Sequence, residues 1–163
     1  MNTYRATTFR TCIFYCLVVI CMTIISCSPE DYDKQIKIDI TSKAKSDINF
    51  AGVNYIVKNG GVILTGSCPT VKARAGVDQS LSTIHILKFV DNRIKISPVT
   101  MGASFAIKQA VDSVLATYPL VNAEVTDSAV VLIGSVKGPE SAKLLSDIKK
   151  VASGTLVNNM TIN

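Results

Sequence analysis

The sequence predicts an α+β protein built from two tandem αββαβ units, each with two helices packed on a small three-stranded mixed sheet. Three observations carry this. Val53–Ser67 reads as two short strands around a turn. It returns 68 residues later as Val121–Ser135, with Val53/Val121, Asn54/Asn122, Val57/Val125, Val62/Val130, Leu64/Leu132, Gly66/Gly134 and Ser67/Ser135 identical. Each copy lies between stretches whose apolar residues recur at helical spacing. The 163 residues are enough for one domain or two small ones.

The N-terminal segment comes first. Met1–Arg10 is polar, with Arg5 and Arg10 and no acid, and Cys12–Ile25 is almost wholly apolar. A basic flank before an apolar run of this length is a signal-peptide pattern. The run stops short of the ~20 residues a spanning helix needs. It ends in Ile24-Ile25-Ser26-Cys27, which resembles a bacterial lipoprotein signal. The resemblance implies cleavage before Cys27 and acylation of that cysteine, palmitate among its chains. An uncleaved membrane anchor is the alternative. Several acyl chains hold where one is marginal, because each buried methylene adds ~0.8 kcal/mol. Ser28–Asp33 follows as a short acidic tether. Ser28 is not the aspartate that retains some lipoproteins in the inner membrane, so the implied place is the outer membrane, facing the periplasm. Acids this close to the cysteine also resemble surface-export signals, so the cell surface is a second placement.

The expected boundaries are a signal peptide at 1–26, a tether at 27–32, a first unit at 33–97, a linker at 98–102 and a second unit at 103–163. In the first unit, Ile36, Ile40, Ala44 and Ile48 recur every four positions, one stripe of a helix that Asp33 could cap. Asn59-Gly60-Gly61 suits a tight turn that needs positive φ. Val62 and Leu64, and their partners Val130 and Leu132, alternate toward a core. Pro69-Thr70 opens a second helix with Val71, Ala75, Leu81 and Ile84 as its buried side, weakened locally by Gly76. A third strand is expected near Ile86–Ile96. In the second unit Ile107, Val111, Val114 and Tyr118 form the first helical stripe. Gly138-Pro139-Glu140 starts the second helix, with Leu144, Leu145, Ile148, Val151 and Ala152 as its apolar face and Gly154 at its stop. Leu156–Ile162 is the last strand. Val90-Asp91-Asn92 is matched with Val157-Asn158-Asn159, an offset of 67. Units of this size bury little surface alone, which favours packing of one on the other.

These residues carry a family resemblance. Each unit resembles a BON domain, the module of bacterial osmotic-shock and nodulation proteins. The carriers are Gly52-Val53, Asn59–Gly66 and Val90-Asp91-Asn92 in the first copy. In the second they are Pro119–Asn122, Val130–Gly134 and Gly154–Asn159. Two departures stand out: Leu87 replaces the glycine before the third strand of the first copy, and Ser128-Ala129 replaces Gly60-Gly61. Tandem units behind a lipoprotein signal resemble the dual-BON lipoproteins of Gram-negative outer membranes. That resemblance implies binding of phospholipid and support of the envelope barrier or of a stress response, with the second domain facing lipid.

Composition narrows the chemistry. Without the segment before Cys27 the chain holds 15 basic and 12 acidic residues, a net +3 far from that of a nucleic-acid binder. The five cysteines are Cys12, Cys16, Cys21, Cys27 and Cys68. They form no disulfide framework. His85 is the only histidine, and it has no nearby nucleophile to serve as a general base. Cys68 lacks a local basic group to favour thiolate. The expectation is a protein that is not an enzyme and carries no cofactor or metal. Gly60, Gly61, Gly66 and Gly134 read as backbone constraints.

The charge is uneven, +3 over residues 30–97 and zero over 98–163. Lys88, Arg93 and Lys95 cluster around the third strand, while Lys34 and Lys45 share a helix face. Basic side chains near a bilayer attract anionic headgroups at ~1 kcal/mol each, which makes anionic phospholipid the candidate partner. An ordinary solvated face, interspersed with Asp39, Asp47 and Asp91, is the alternative reading. The lipid contact could instead come from the end of the second unit's first helix, around Val114, Leu115, Tyr118 and Leu120. A lipid-tethered interaction module of an envelope assembly is the alternative function, its partners other envelope proteins.

Overall fold

A proline in the first turn, acids beside the free amides and lysines near the last carbonyls all favour a helix. The first helix, α1 (Pro29–Ser46), has all three, with Glu30 and Asp31 at its start and Lys43 and Lys45 at its end. It belongs to a computed structural model that describes residues 28–99, 103–152 and 154–163. Cys27, the signal segment 1–26 and residues 100–102 of the expected linker lie outside the described residues.

Helix α1 starts four residues before the expected Asp33, with Ser28 at the N-cap position. Asp33 is buried and caps something else. Its carboxylate accepts the Asn59 N–H at 2.8 Å and the Gly60 N–H at 2.6 Å, holding the hairpin turn from behind. Ile36 and Ile40 are buried as the stripe predicts and Ala44 packs beside them, but Ile48 is exposed. A 3-10 turn (Ile48–Phe50) follows the helix and puts Phe50 in the core instead.

Strands β1 (Val53–Lys58) and β2 (Gly61–Cys68) pair antiparallel from Val53↔Gly66 to Lys58↔Gly61. Their turn has Asn59 at φ 55 and Gly60 at φ 80, the backbone a two-residue hairpin loop requires. Helix α2 (Val71–Ser82) begins where the Thr70 hydroxyl accepts the Ala73 N–H. That cap makes Val71 the first helical residue. Packing on the sheet buries Ala73, Val77 and Leu81, not Val71 and Ala75. The expected third strand is two pieces, β3 (Phe89–Asn92) and β4 (Lys95–Ile96), both parallel to β2. Pairing lapses opposite Thr65 and Gly66, so the first sheet has four strands and one interrupted edge.

The second unit repeats the order with α3 (Ala103–Leu115), β5 (Val121–Val125), β6 (Ala129–Val136), α4 (Gly138–Val151) and β7 (Thr155–Ile162). Strands β5 and β6 are antiparallel, and β7 runs parallel to β6 over eight residues. Val111, Leu115, Leu144 and Ile148 fill the second core. The fold is α+β, four helices on two small mixed sheets. The sheets correct one expected match. Val62 pairs with Val90, and its repeat partner Val130 pairs with Leu156. Asn92 accepts the Ile94 N–H through its side chain, and Asn158 does the same for Met160. Val90-Asp91-Asn92 thus stands with Leu156-Val157-Asn158, one position away from the match read in the sequence.

The two units meet along the outer edges of β1 and β5. The Val57 N–H donates to the Pro119 carbonyl at 2.9 Å. The Lys37 ammonium donates to the Tyr55 carbonyl at 2.7 Å and to the Val121 carbonyl at 2.8 Å. Val57 beside Pro119 and Tyr55 beside Val121 set the two edges antiparallel, so the two hairpin turns point to opposite ends of the molecule. Lys37 is 2% exposed and lies 4.7 Å above the centre of the Tyr55 ring. Its neighbours Ile36 and Ile40 match Ile107 and Val111 of α3, which makes Lys108 its counterpart. Lys108 is also buried, and it pairs with Asp112 at 2.6 Å.

Candidate functional site

Two depressions flank the start of α1, the point at which the chain arrives from Cys27. The first, about 420 Å³, is lined by Ser28, Pro29, Tyr32, Asn59, Gly60 and Lys88. The Lys88 N–H donates to the Gly60 carbonyl at 2.8 Å. Its side chain crosses Gly60, where a Cβ would stand 2.9 Å from Lys88 Cδ. Glycine is favoured there for φ +80, and a side chain would also displace the Lys88 chain. With Asp33 bonded to the same turn, Lys88 is carried on a braced loop, exposed. Among the described residues no carboxylate pairs with it.

The second depression, about 260 Å³, lies between α1 and the second unit. Tyr118, Pro119, Leu120 and Val136 give it an apolar lining, with Glu30, Lys34, Lys137 and Glu140 among the charged residues around them. The segment after α3 builds it. The Tyr118 N–H bonds back to the Leu115 carbonyl, the Val121 N–H to the Tyr118 carbonyl, and Pro119 accepts from Val57. Lys137 pairs with Glu30 across the junction. The hydrogen bond with Lys137 holds the Glu30 carboxyl below its usual range, and the same bond raises Lys137. Burial pushes the Tyr118 phenol up.

The structure thus places Lys88 and Tyr118 on two sides of one helix start. It separates the other candidates from them. Arg93 and Lys95 lie on the exposed edge of the first sheet, and Arg93 is tied to Asp91 at 2.6 Å. Leu115 is 1% exposed and turned into the second core, where it serves packing and offers no surface. Cys27 lies outside the described residues. A Cβ at Gly61 would displace the Phe89 ring, which lies across it. Gly66 at φ +91 and Gly134 at φ +122 each press against the backbone that precedes the first strand of their hairpin, the Gly52 and Leu120 carbonyls.

Sequence reasoning missed Lys37. Burial pushes its ammonium down to about 7, with Lys108 adding to the fall and Asp112 opposing it. The signal was present: a lysine follows the isoleucine that opens the buried stripe in both units, Ile36-Lys37 and Ile107-Lys108. His85 is exposed. The Cys68 thiol is buried, donates to the Asn49 carbonyl at 3.4 Å and is raised by burial, so it stays a thiol. Among the described residues no group of His, Cys, Asp and Glu could hold a metal ion, and no helix is long and apolar enough to cross a membrane.

A BON domain is found at residues 33–98, where the chain matches that family's model. No curated protein matches the chain. Among solved structures the chain is similar to CdsD, a structural protein of the type III secretion system of Chlamydia trachomatis. The identity is 16% and the TM-score 0.34, over 80% of this chain and 63% of that one. A second structure, the CdsD C-terminal domain, matches at 17% identity and TM-score 0.32, over 74% of this chain and 61% of that one. The chain therefore spans less than two thirds of the length of either structure.

Proposed function

We propose that this is a lipid-anchored protein of the bacterial cell envelope that meets phospholipid at the end where α1 begins. It would be held by acyl chains on Cys27 in the outer membrane and would act without catalysis. The observation that carries the reading is the position of one amphipathic and one cationic side chain at the start of α1, Tyr118 beside Glu30 and Lys34 and Lys88 beside Ser28. An anchor on the preceding residue brings this end to the bilayer. A braced lysine there meets anionic headgroups, and a half-buried tyrosine suits the interface between water and lipid. The BON domain at residues 33–98 supports the lipid reading, and the repeated αββαβ order supports a tandem of such units. Arg93 and Lys95 are secondary charges in this reading, since they lie on the exposed edge of the first sheet away from Ser28 and Arg93 is paired with Asp91.

The test is flotation of protein beginning at Ser28 with vesicles of neutral lipid and of neutral lipid plus anionic phosphatidylglycerol. Weak, salt-sensitive binding to the anionic vesicles is expected. Lys88→Gln should weaken it severalfold, and Tyr118→Ser should weaken it without changing the salt dependence. Binding that ignores both substitutions sinks this placement of the site. No binding, together with crosslinks to one envelope protein in whole envelopes, establishes the tethered interaction module instead.

A further inference from the structure

We propose that the outer edge of β7 docks on β7 of a second copy of this chain, antiparallel and centred on Asn159. Strand β7 pairs with β6 on one side and, among the described residues, with no strand on the other. The Thr155 N–H donates to Ser128 and the Asn163 N–H to Val136, so the odd-numbered residues turn their amides toward β6. By strand alternation Leu156, Asn158, Met160 and Ile162 turn theirs outward. The Asn158 side chain accepts the Met160 N–H, shielding one of these groups until a partner strand replaces it.

The first unit provides the comparison. Its matching edge is broken into β3 and β4, and its solvent-facing positions carry Asp91, Arg93 and Lys95. Short strands and charges of this kind keep sheet edges from pairing. At the matched positions β7 carries Val157, Asn159 and Thr161, and the strand is unbroken for eight residues. It has no charge, no proline and no positive φ.

The occupant follows from the composition. An edge without charge has nothing to select an oppositely charged partner, and two copies of it meet without repulsion. A two-fold axis at Asn159 puts all four outward residues opposite one another, Leu156 facing Ile162 and Asn158 facing Met160. On the solvent face Val157 then meets Thr161, a β-branched pair that suits cross-strand contact, and Asn159 meets Asn159. Inside the chain, β1 and β5 already meet edge to edge and antiparallel. Two strands alone bury less than the ~1,200 Å² of a stable interface, so pairing depends on local concentration.

The test uses the full-length chain in isolated envelope membranes, with Asn159→Cys and mild oxidation. In this register residue 159 forms a non-hydrogen-bonded pair with its own symmetry mate, with Cα atoms about 4.5 Å apart, within disulfide reach. A disulfide-linked dimer of this chain alone is expected, while Arg93→Cys on the other unit's edge gives none. Val157→Cys should link to Thr161→Cys in mixed membranes and not to itself. Adding Val157→Lys and Thr161→Lys to Asn159→Cys should cut the dimer at least tenfold. Mixing that form with one carrying glutamates at both positions should restore it. These side chains are exposed, so the urea midpoint should hold. Absence of the dimer, an equal yield from Arg93→Cys, indifference to the lysines, or a disulfide to a different protein overturns the proposal.

Discussion

The ammonium of Lys37 donates to the Val121 carbonyl at 2.8 Å, across 84 residues of chain. The same group donates to Tyr55 in the first hairpin. One side chain thus satisfies a carbonyl on each of two facing strand edges. Burial holds Lys37 at about 7, well below the ~10.4 of a lysine in an unfolded chain.

The pH dependence of stability follows from that depression. Between pH 7 and about 10 the unfolded chain binds a proton at Lys37 that the folded protein does not. Stability therefore rises with pH across this window, by up to ~1.4 kcal/mol per unit from this one group. Below pH 7 both states are protonated and the contribution is flat. Urea midpoints at pH 7, 8.5 and 10 check it, with Lys37→Met as the comparison that should lose this slope. An equal slope in both proteins would falsify the assignment.

Asp33→Ala should destabilise the first unit by about 2 kcal/mol, because it leaves the Asn59 and Gly60 amides without their charged acceptor. Asp33→Asn should recover part of the loss. Thermal unfolding followed by circular dichroism reads the difference. A loss as small as a few tenths of a kcal/mol in Asp33→Ala would mean that water serves the turn equally well.

Gly66→Ala and Gly134→Ala should each cost about 3 kcal/mol or more. Both combine a positive φ, which alanine adopts at a penalty, with a carbonyl in the space of the new methyl. Gly76→Ala is the control. Its helix gains propensity, and the new methyl meets the amide of Asn49 at 2.8 Å, the end of a movable side chain. Similar urea midpoints for all three variants would show that backbone constraint is not what these glycines supply.

Cys27→Ser should abolish acylation and release the protein from membranes into the soluble envelope fraction. Metabolic labelling with palmitate and fractionation read the two effects separately. Membrane retention with an intact N-terminus would identify the apolar segment itself as the anchor.

The hairpins were legible in the sequence because their determinants are local: the Asn59-Gly60 turn and the alternation of Val62 and Leu64. Gly66 and Gly134 marked a backbone constraint but not the end of a strand, since β2 runs on to Cys68 and β6 to Val136. The buried face of α2 was not legible, since Val71 with Ala75 and Ala73 with Val77 offer two apolar stripes and only packing on the sheet selects Ala73 and Val77. Strand register slipped by one at β7 because Val157 and Leu156 serve a valine template equally well in sequence, and only pairing to β6 chooses. The site was half legible. Lys88 and Arg93 read alike as basic residues near one strand, yet Gly60 carries the first to the end of α1 while Asp91 ties down the second. The repeated Ile-Lys pair marked Lys37, but its role stayed hidden because both of its acceptors are backbone carbonyls, which have no signature in side-chain pattern.

The antiparallel meeting of β1 and β5 would make the anchored molecule we propose a spacer. Strand β6 ends at Val136, on the groove beside α1, and starts at Ala129, seven residues away. At ~3.4 Å per residue the second turn stands roughly 25 Å from that groove. In the anchoring we propose, strands standing upright on the bilayer would put Asp127 and Ser128 about three times as far out as the ~8 Å over which surface charge is felt at physiological salt. A partner meeting that tip would then do so in bulk solvent, at a distance from the membrane set by the length of one strand.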